Sequence, residues 1–215
     1  MLSLFILLVI FVGAYSGYKQ GIVLQLLETI GYVIAVIFAL DYYKIVSDYF
    51  YLLIPYPSPF APQKNPYLFY DEKFMFSLDI SYYDMLGFLA VYLVGWLVVK
   101  FFTKLLSYTL EKLKAPEPIS GIGGAILGIF VNYMGVFFVL IVLTTIPYEM
   151  VQNTLKSSTL ADTMITSTPK ISDEVYRRFI VDVYDEVSKK LPTMDIQLPT
   201  SEEEASDETT EENQE

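Results

Sequence analysis

The sequence predicts an all-α membrane protein: a four transmembrane helix bundle with an amphipathic helical C-terminal appendage and a disordered acidic tail. Three observations carry this. No charged side chain stands between Glu117 and Glu149, and Pro118–Tyr148 exceeds the roughly 20 apolar helical residues that cross a hydrocarbon core of about 30 Å. Three further apolar segments of spanning length precede it. The chain is 53% hydrophobic with a mean hydropathy of +0.43, yet its net charge is −11. Those figures belong to different regions, because most of the acids lie from Glu149 onward while the apolar residues lie before it. A chain of 215 residues holds one bundle, placed at 1–148, and a short appendage, placed at 149–198 with the tail at 199–215.

The spans fall at about 1–18, 22–40, 82–102 and 121–146. Met1–Tyr18 has no charge before Lys19. It has no basic n-region, and Gly13-Ala14-Tyr15-Ser16 is a poor cleavage site, so it reads as a retained span and not a signal peptide. Ile22–Leu40 is apolar apart from Gln25, Glu28 and Thr29. Met85–Val99 is uninterrupted and reaches spanning length with Tyr82, Tyr83, Phe101 and Phe102. Gly121–Ile146 is the fourth.

Between spans two and three, Asp41–Asp84 is rich in tyrosine and contains Pro55, Pro57, Pro59 and Pro62. Proline blocks helix and central strand alike. An extended aromatic loop over 41–81, on the outer surface, is the expectation. After span three, Lys100, Lys104, Ser107, Glu111 and Lys114 recur at helical spacing. They predict a helix running along the headgroups with its lysines toward anionic lipid. The appendage has two helical candidates, Val151–Ile165 and Ser172–Leu191. Ser172 is the predicted N-cap of the second, with Asp173 and Glu174 in its first turn and Pro192 at its end. From Ser201 onward acids abound and no base occurs, the composition of a disordered segment.

Lysine placement gives an orientation. Lys19 lies between spans one and two, and Lys100, Lys104, Lys112 and Lys114 lie between three and four. The positive-inside rule then puts both short connections in the cytoplasm and both termini outside.

Within the membrane, Gly121, Gly124, Ala125, Gly128, Asn132 and Gly135 share an arc of about 100° on the last span. Gly124 and Gly128 have the spacing that lets two helix backbones approach in lipid. Helix packing is the first reading of Gly121, Gly124, Gly128 and Gly135. Gly13, Gly17 and Gly21 repeat the four-residue spacing through the first turn. On span two, Gly21, Gln25, Glu28, Tyr32, Ala35 and Ala39 share a face, which turns Glu28 inward, with Gln25 or Asn132 as candidate neighbours. An intramembrane carboxylate is a functional candidate, and Glu28 and Asn132 are the intramembrane polar residues to watch.

There is no Cys and no His. That removes disulfides, thiol chemistry, the usual zinc sites and imidazole bases. The sequence points to no catalytic, cofactor-binding or metal residues, and no cofactor or nucleic-acid partner. The partners it implies are the lipid bilayer and either further copies of the chain or other membrane proteins.

Two stretches resemble a known family. The first is Gly17-Tyr18-Lys19-Gln20-Gly21-Ile22-Val23 followed by Leu26-Leu27-Glu28 and Gly31. The second is Ile122-Gly123-Gly124-Ala125-Ile126-Leu127-Gly128-Ile129 with Gly135 beyond. In a four-span chain these resemble the colicin V production protein (CvpA) family over roughly residues 1–170. The departures are Pro118-Ile119-Ser120, where the family commonly has arginine or lysine, the long aromatic loop and the acidic end. The resemblance implies a multi-pass protein of the bacterial cytoplasmic membrane, linked to production or export of a peptide toxin or to envelope upkeep, with no enzymatic activity. The alternative is a small oligomeric channel or transporter using Glu28 and Asn132.

Overall fold

A computed structural model describes residues 1–57, 65–110, 119–168 and 170–190. Most of the proline run, the Glu111–Lys114 part of the lysine-bearing link, Pro192 and the acidic tail lie outside the described residues. The described chain forms α1 (Leu2–Gln20), α2 (Ile22–Leu53), α3 (Leu78–Leu110), α4 (Ile119–Thr144), α5 (Glu149–Ser157), α6 (Thr159–Ser167), α7 (Ile171–Tyr176) and α8 (Asp182–Lys190). A 3-10 turn occupies Glu72–Phe74, and a π-helical turn, Arg177–Val181, joins α7 to α8. The described residues contain no strand. Four helices, α1 to α4, are long and apolar enough to cross a membrane.

A single residue, Gly21, separates α1 from α2. Its φ of 79° is a conformation that side chains resist and glycine adopts freely. Its N–H closes α1 on the Gly17 carbonyl at 3.0 Å, and its own carbonyl accepts from the Gln25 N–H at 3.1 Å. The Ile22 N–H, unpaired within α2, donates to Ser120 Oγ at 3.3 Å. Ser120 belongs to the tripeptide that departs from the family pattern, and it caps the second span from the start of the fourth.

The loop expected over 41–81 is much shorter. Helix α2 continues to Leu53, and α3 begins at Leu78. Hydropathy falls at Asp41, but a helix leaving hydrocarbon has no reason to stop there. No Pro or Gly stands between Asp41 and Leu53, and Tyr43 and Ser47 prolong the buried face of Ala35 and Ala39. Ser47 Oγ donates to Asp84 Oδ1 at 2.7 Å, which ties the extended parts of α2 and α3 together. Pro55 ends α2 by forcing Ile54 out of the helical region, to φ −114° and ψ 118°. The Tyr83 hydroxyl donates to the Ile54 carbonyl at 2.6 Å, fixing the chain as it turns away.

Residues 65–77 fold over the end of α4. The Tyr56 hydroxyl donates to the Thr145 carbonyl at 2.9 Å, and the Tyr70 hydroxyl pairs with Thr144 Oγ1. Burial pushes both phenols well above the usual tyrosine range, which keeps them neutral and able to donate.

The appendage also differs from expectation. In place of one helix over Val151–Ile165 there are two, α5 and α6. The break is at Ser158, whose hydroxyl accepts the Ala161 N–H at 3.4 Å and pairs with Ser3 Oγ at 2.8 Å. Ser172 is not the cap of the next helix. Lys170, with φ 61°, holds that position, while Ser172 is buried in the first turn with no partner for its hydroxyl among the described residues. The π-helical turn widens the helix and sets Phe179 and Ile180 inward. Phe179 meets the rings of Tyr43 and Phe88 at 5.2 and 5.7 Å.

Nor does a boundary fall at 149. The chain divides into Met1–Tyr184 and Asp185–Glu215, so α5 to α7 belong to the same unit as the spans. Gln152 explains why. Fully buried, it donates from Nε2 to the carbonyls of Thr144 and Ile146, both at 2.8 Å, and accepts the Leu68 N–H at 3.1 Å. It thereby satisfies the orphan carbonyls at the end of α4. Of the second unit, residues 185–190 are described, and there Lys190 pairs with Glu186 at 2.8 Å.

Candidate functional site: a glycine seam and a buried ion pair

Helices α1 and α4 touch backbone to backbone. A methyl group at Gly124 or Gly128 would run into the carbonyl oxygen of Gly17 or Gly13, and one at Gly17 would run into that of Gly124. Gly121 lies under the ring of Tyr18. The two small-residue stripes in the sequence are thus the two halves of one contact. Side chains would hold the axes apart, and glycine removes them.

Asn132 extends the seam, since its side chain lies over Gly13, and its Nδ2 donates to the Gly128 carbonyl of its own helix at 2.9 Å. Gly135, although on the same arc of α4, has open space where its Cβ would be. It borders a groove of about 350 Å³ with Ile6 and Val9 of α1. Gly135 is therefore not a packing residue within this chain. Asn132 fills the end of the glycine seam, and beyond it α1 and α4 line that groove together.

Helices α2 and α3 form the second close pair. Gly95 faces Ala35, Gly87 faces the backbone at Tyr43 and Ser47, and Gly31 faces Val99. That antiparallel register carries Glu28 to the other end of α3. There Lys100 Nζ lies 2.8 Å from Glu28 Oε1, with the carboxylate side chain 2% exposed and the lysine 37%. Gln20 Nε2 donates to the same oxygen at 3.4 Å. Gln25 is buried one turn away, and its backbone carbonyl accepts from Thr29 Oγ1 at 2.7 Å. Tyr32 is buried one turn further along.

Two expectations change here. Lys100 does not reach for lipid headgroups; it neutralises the interior carboxylate. Glu28 and Asn132 are also not neighbours: the first contacts Lys100 and Gln20, and the second lies against α1. Helical periodicity assigned each residue a face but no opposite helix. The signal for Lys100 lay in the small residues of both helices, because matching Ala35 to Gly95 and Gly31 to Val99 leaves Glu28 near the Lys100 turn. A buried carboxylate–ammonium pair, with a neutral amide as its third member, holds charge in place. It offers no nucleophile and no pair of carboxylates for acid–base work.

Four apolar helices, closed by backbone contact and one interior ion pair, define a multi-pass membrane protein in a lipid bilayer. The chain belongs to the colicin V production protein family, whose model matches residues 2–169. Among curated proteins it is similar to an uncharacterized transmembrane protein, YshB, of Bacillus subtilis (strain 168), with 26% identity over 172 residues, which is 80% of this chain and 93% of that protein. No solved structure matches.

The ion pair predicts a thermodynamic cycle. Removing one partner of a buried pair costs about 3–5 kcal/mol when both are desolvated; with the Lys100 side chain 37% exposed the loss is smaller. Lys100→Met should lower stability in detergent more than Glu28→Gln, and combining the two should recover most of the loss. Additive losses in the double variant would show that the two groups do not interact.

Proposed function

We propose that this protein acts in the bacterial cytoplasmic membrane as a non-enzymatic component of toxin (bacteriocin) production or export, or of envelope homeostasis, working through protein contacts. Membership of the colicin V production family supports the setting. The observation that carries the mode of action is the pairing of Glu28 with Lys100. A conduit needs a polar group free to bind and release its cargo, whereas this carboxylate is matched by a neighbouring cation. Asn132, the other polar candidate, hydrogen-bonds within its own helix. The Gly124/Gly128 stripe is covered by α1, so contacts with further copies or other proteins would use other surfaces.

In this reading Lys19, Lys100 and Lys104 mark the cytoplasmic end, and residues 65–77 with α5 to α7 lie outside. The chain has no cysteine, so single cysteines report orientation cleanly. Glu72→Cys should react with an impermeant maleimide in intact cells, and Lys104→Cys only after permeabilisation. The opposite pattern would invert the topology.

Flux separates a contact protein from a conduit. Proteoliposomes holding the wild-type protein should pass no more protons or ions than empty vesicles, while detergent extracts should yield a reproducible copurifying membrane protein. Robust wild-type flux that disappears in Glu28→Gln, with folding retained, would put the channel or transporter reading first.

A further inference from the structure

Helices α2 and α4 enclose a groove of about 530 Å³ whose inner wall is Phe88, Tyr92 and Phe138. Its mouth is formed by Val33, Ile37 and Phe130, all exposed on the lipid-facing side of the spans. The groove follows α2 from Thr29 to Leu40, a length of about 16 Å at 1.5 Å per residue. Its apolar walls and its length along α2 suit an extended hydrocarbon chain.

Charge sits along one edge. Lys170, Glu174 and Arg178 also line the groove, Lys170 as the N-cap of α7, Glu174 within it and Arg178 in the turn that follows. Glu174 is taken up by Arg177 at 2.6 Å. Lys170 has no ion-pair partner among the described residues. Arg178 lies near the Tyr43 hydroxyl, and a guanidinium carries five N–H donors. Two cations therefore border an apolar groove that opens sideways. Within the groove, the buried Tyr32 hydroxyl has no partner among the described residues. The family model ends at residue 169, so the charged edge comes from the segment just beyond it.

We propose that this groove binds one anionic phospholipid from the leaflet on the α5–α7 side. An acyl chain lies between α2 and α4, and the phosphate rests on Lys170 and Arg178. A free phosphate would leave the apolar walls uncovered. A zwitterionic lipid brings its own ammonium to the two cations, which weakens its claim on them.

The experiment is lipid titration of the full-length, delipidated protein in detergent, followed by native mass spectrometry and thermal unfolding. Phosphatidylglycerol should bind as one tightly held molecule per chain, about tenfold or more tighter than phosphatidylcholine with the same chains, and should raise the melting temperature further. The K170Q/R178Q variant should lose that preference while still binding both lipids weakly. Ile37→Trp, which fills the mouth from the lipid side, should weaken both lipids alike. The proposal is overturned if the wild-type protein binds the two lipids equally, if K170Q/R178Q keeps the preference, or if inorganic phosphate displaces phosphatidylglycerol. The wild-type comparison decides even if a variant fails to fold.

Discussion

The contact on which the bundle turns is the one between the backbones of α1 and α4. In lipid, apolar side chains gain little by leaving one hydrocarbon environment for another, so helices associate through close packing and interhelical hydrogen bonds. The seam at Gly13, Gly17, Gly124 and Gly128 supplies the close packing. Its consequences reach both ends of the spans. At one end it brings Ser120 to the Gly21 turn, where it caps α2. At the other it carries the start of α1 to Ser158, where Ser3 meets the break between α5 and α6. A wider seam would undo both.

The second close pair, α2 with α3, adds an electrostatic constraint. Glu28 and Lys100 are a costly pair to bury, and a hydrophobic replacement of both could be as stable. What the pair contributes is register. A slip of one turn toward Trp96 would leave Glu28 without its ammonium, so that alternative pairing carries an unmatched charge. Near the opposite end of the same helices, Ser47 and Asp84 form a second polar link. Together the two links pin α2 against α3 over most of their length, while the glycines between them let the backbones approach.

The legible and illegible parts of this chain divide along physical lines. The four spans were readable because hydrocarbon imposes a length and an apolarity that few other segments meet. The glycine stripes were readable too, but periodicity identifies a face and says nothing of its neighbour. Gly135 shares the arc of Gly128 and still borders a groove, with open space where its Cβ would be. The end of α2 was misplaced for a different reason: hydropathy reports where the membrane stops, and only Pro55 reports where the helix stops. Lys100 was hidden because a lysine near a span end has two ways to be satisfied, lipid phosphate or an interior carboxylate. Gln152, which joins α4, α5 and the 65–77 segment, gave no sequence signal, since one glutamine in a polar helix has no pattern around it. Ser172 carried a capping signal that the tertiary structure overrode by burying it.

The central claim is that backbone contact at the glycine seam closes the bundle. The most direct measurement is the unfolding free energy in detergent of Gly128→Ala beside Gly135→Ala. Both add the same methyl group to the same arc of α4. At Gly128 it meets the Gly13 carbonyl oxygen, and at Gly135 it meets nothing. Overpacking of this kind costs about 1–3 kcal/mol. The account predicts a loss of that order for Gly128→Ala and a change within about 0.5 kcal/mol for Gly135→Ala. Equal effects of the two substitutions, or a larger loss at Gly135, would contradict it.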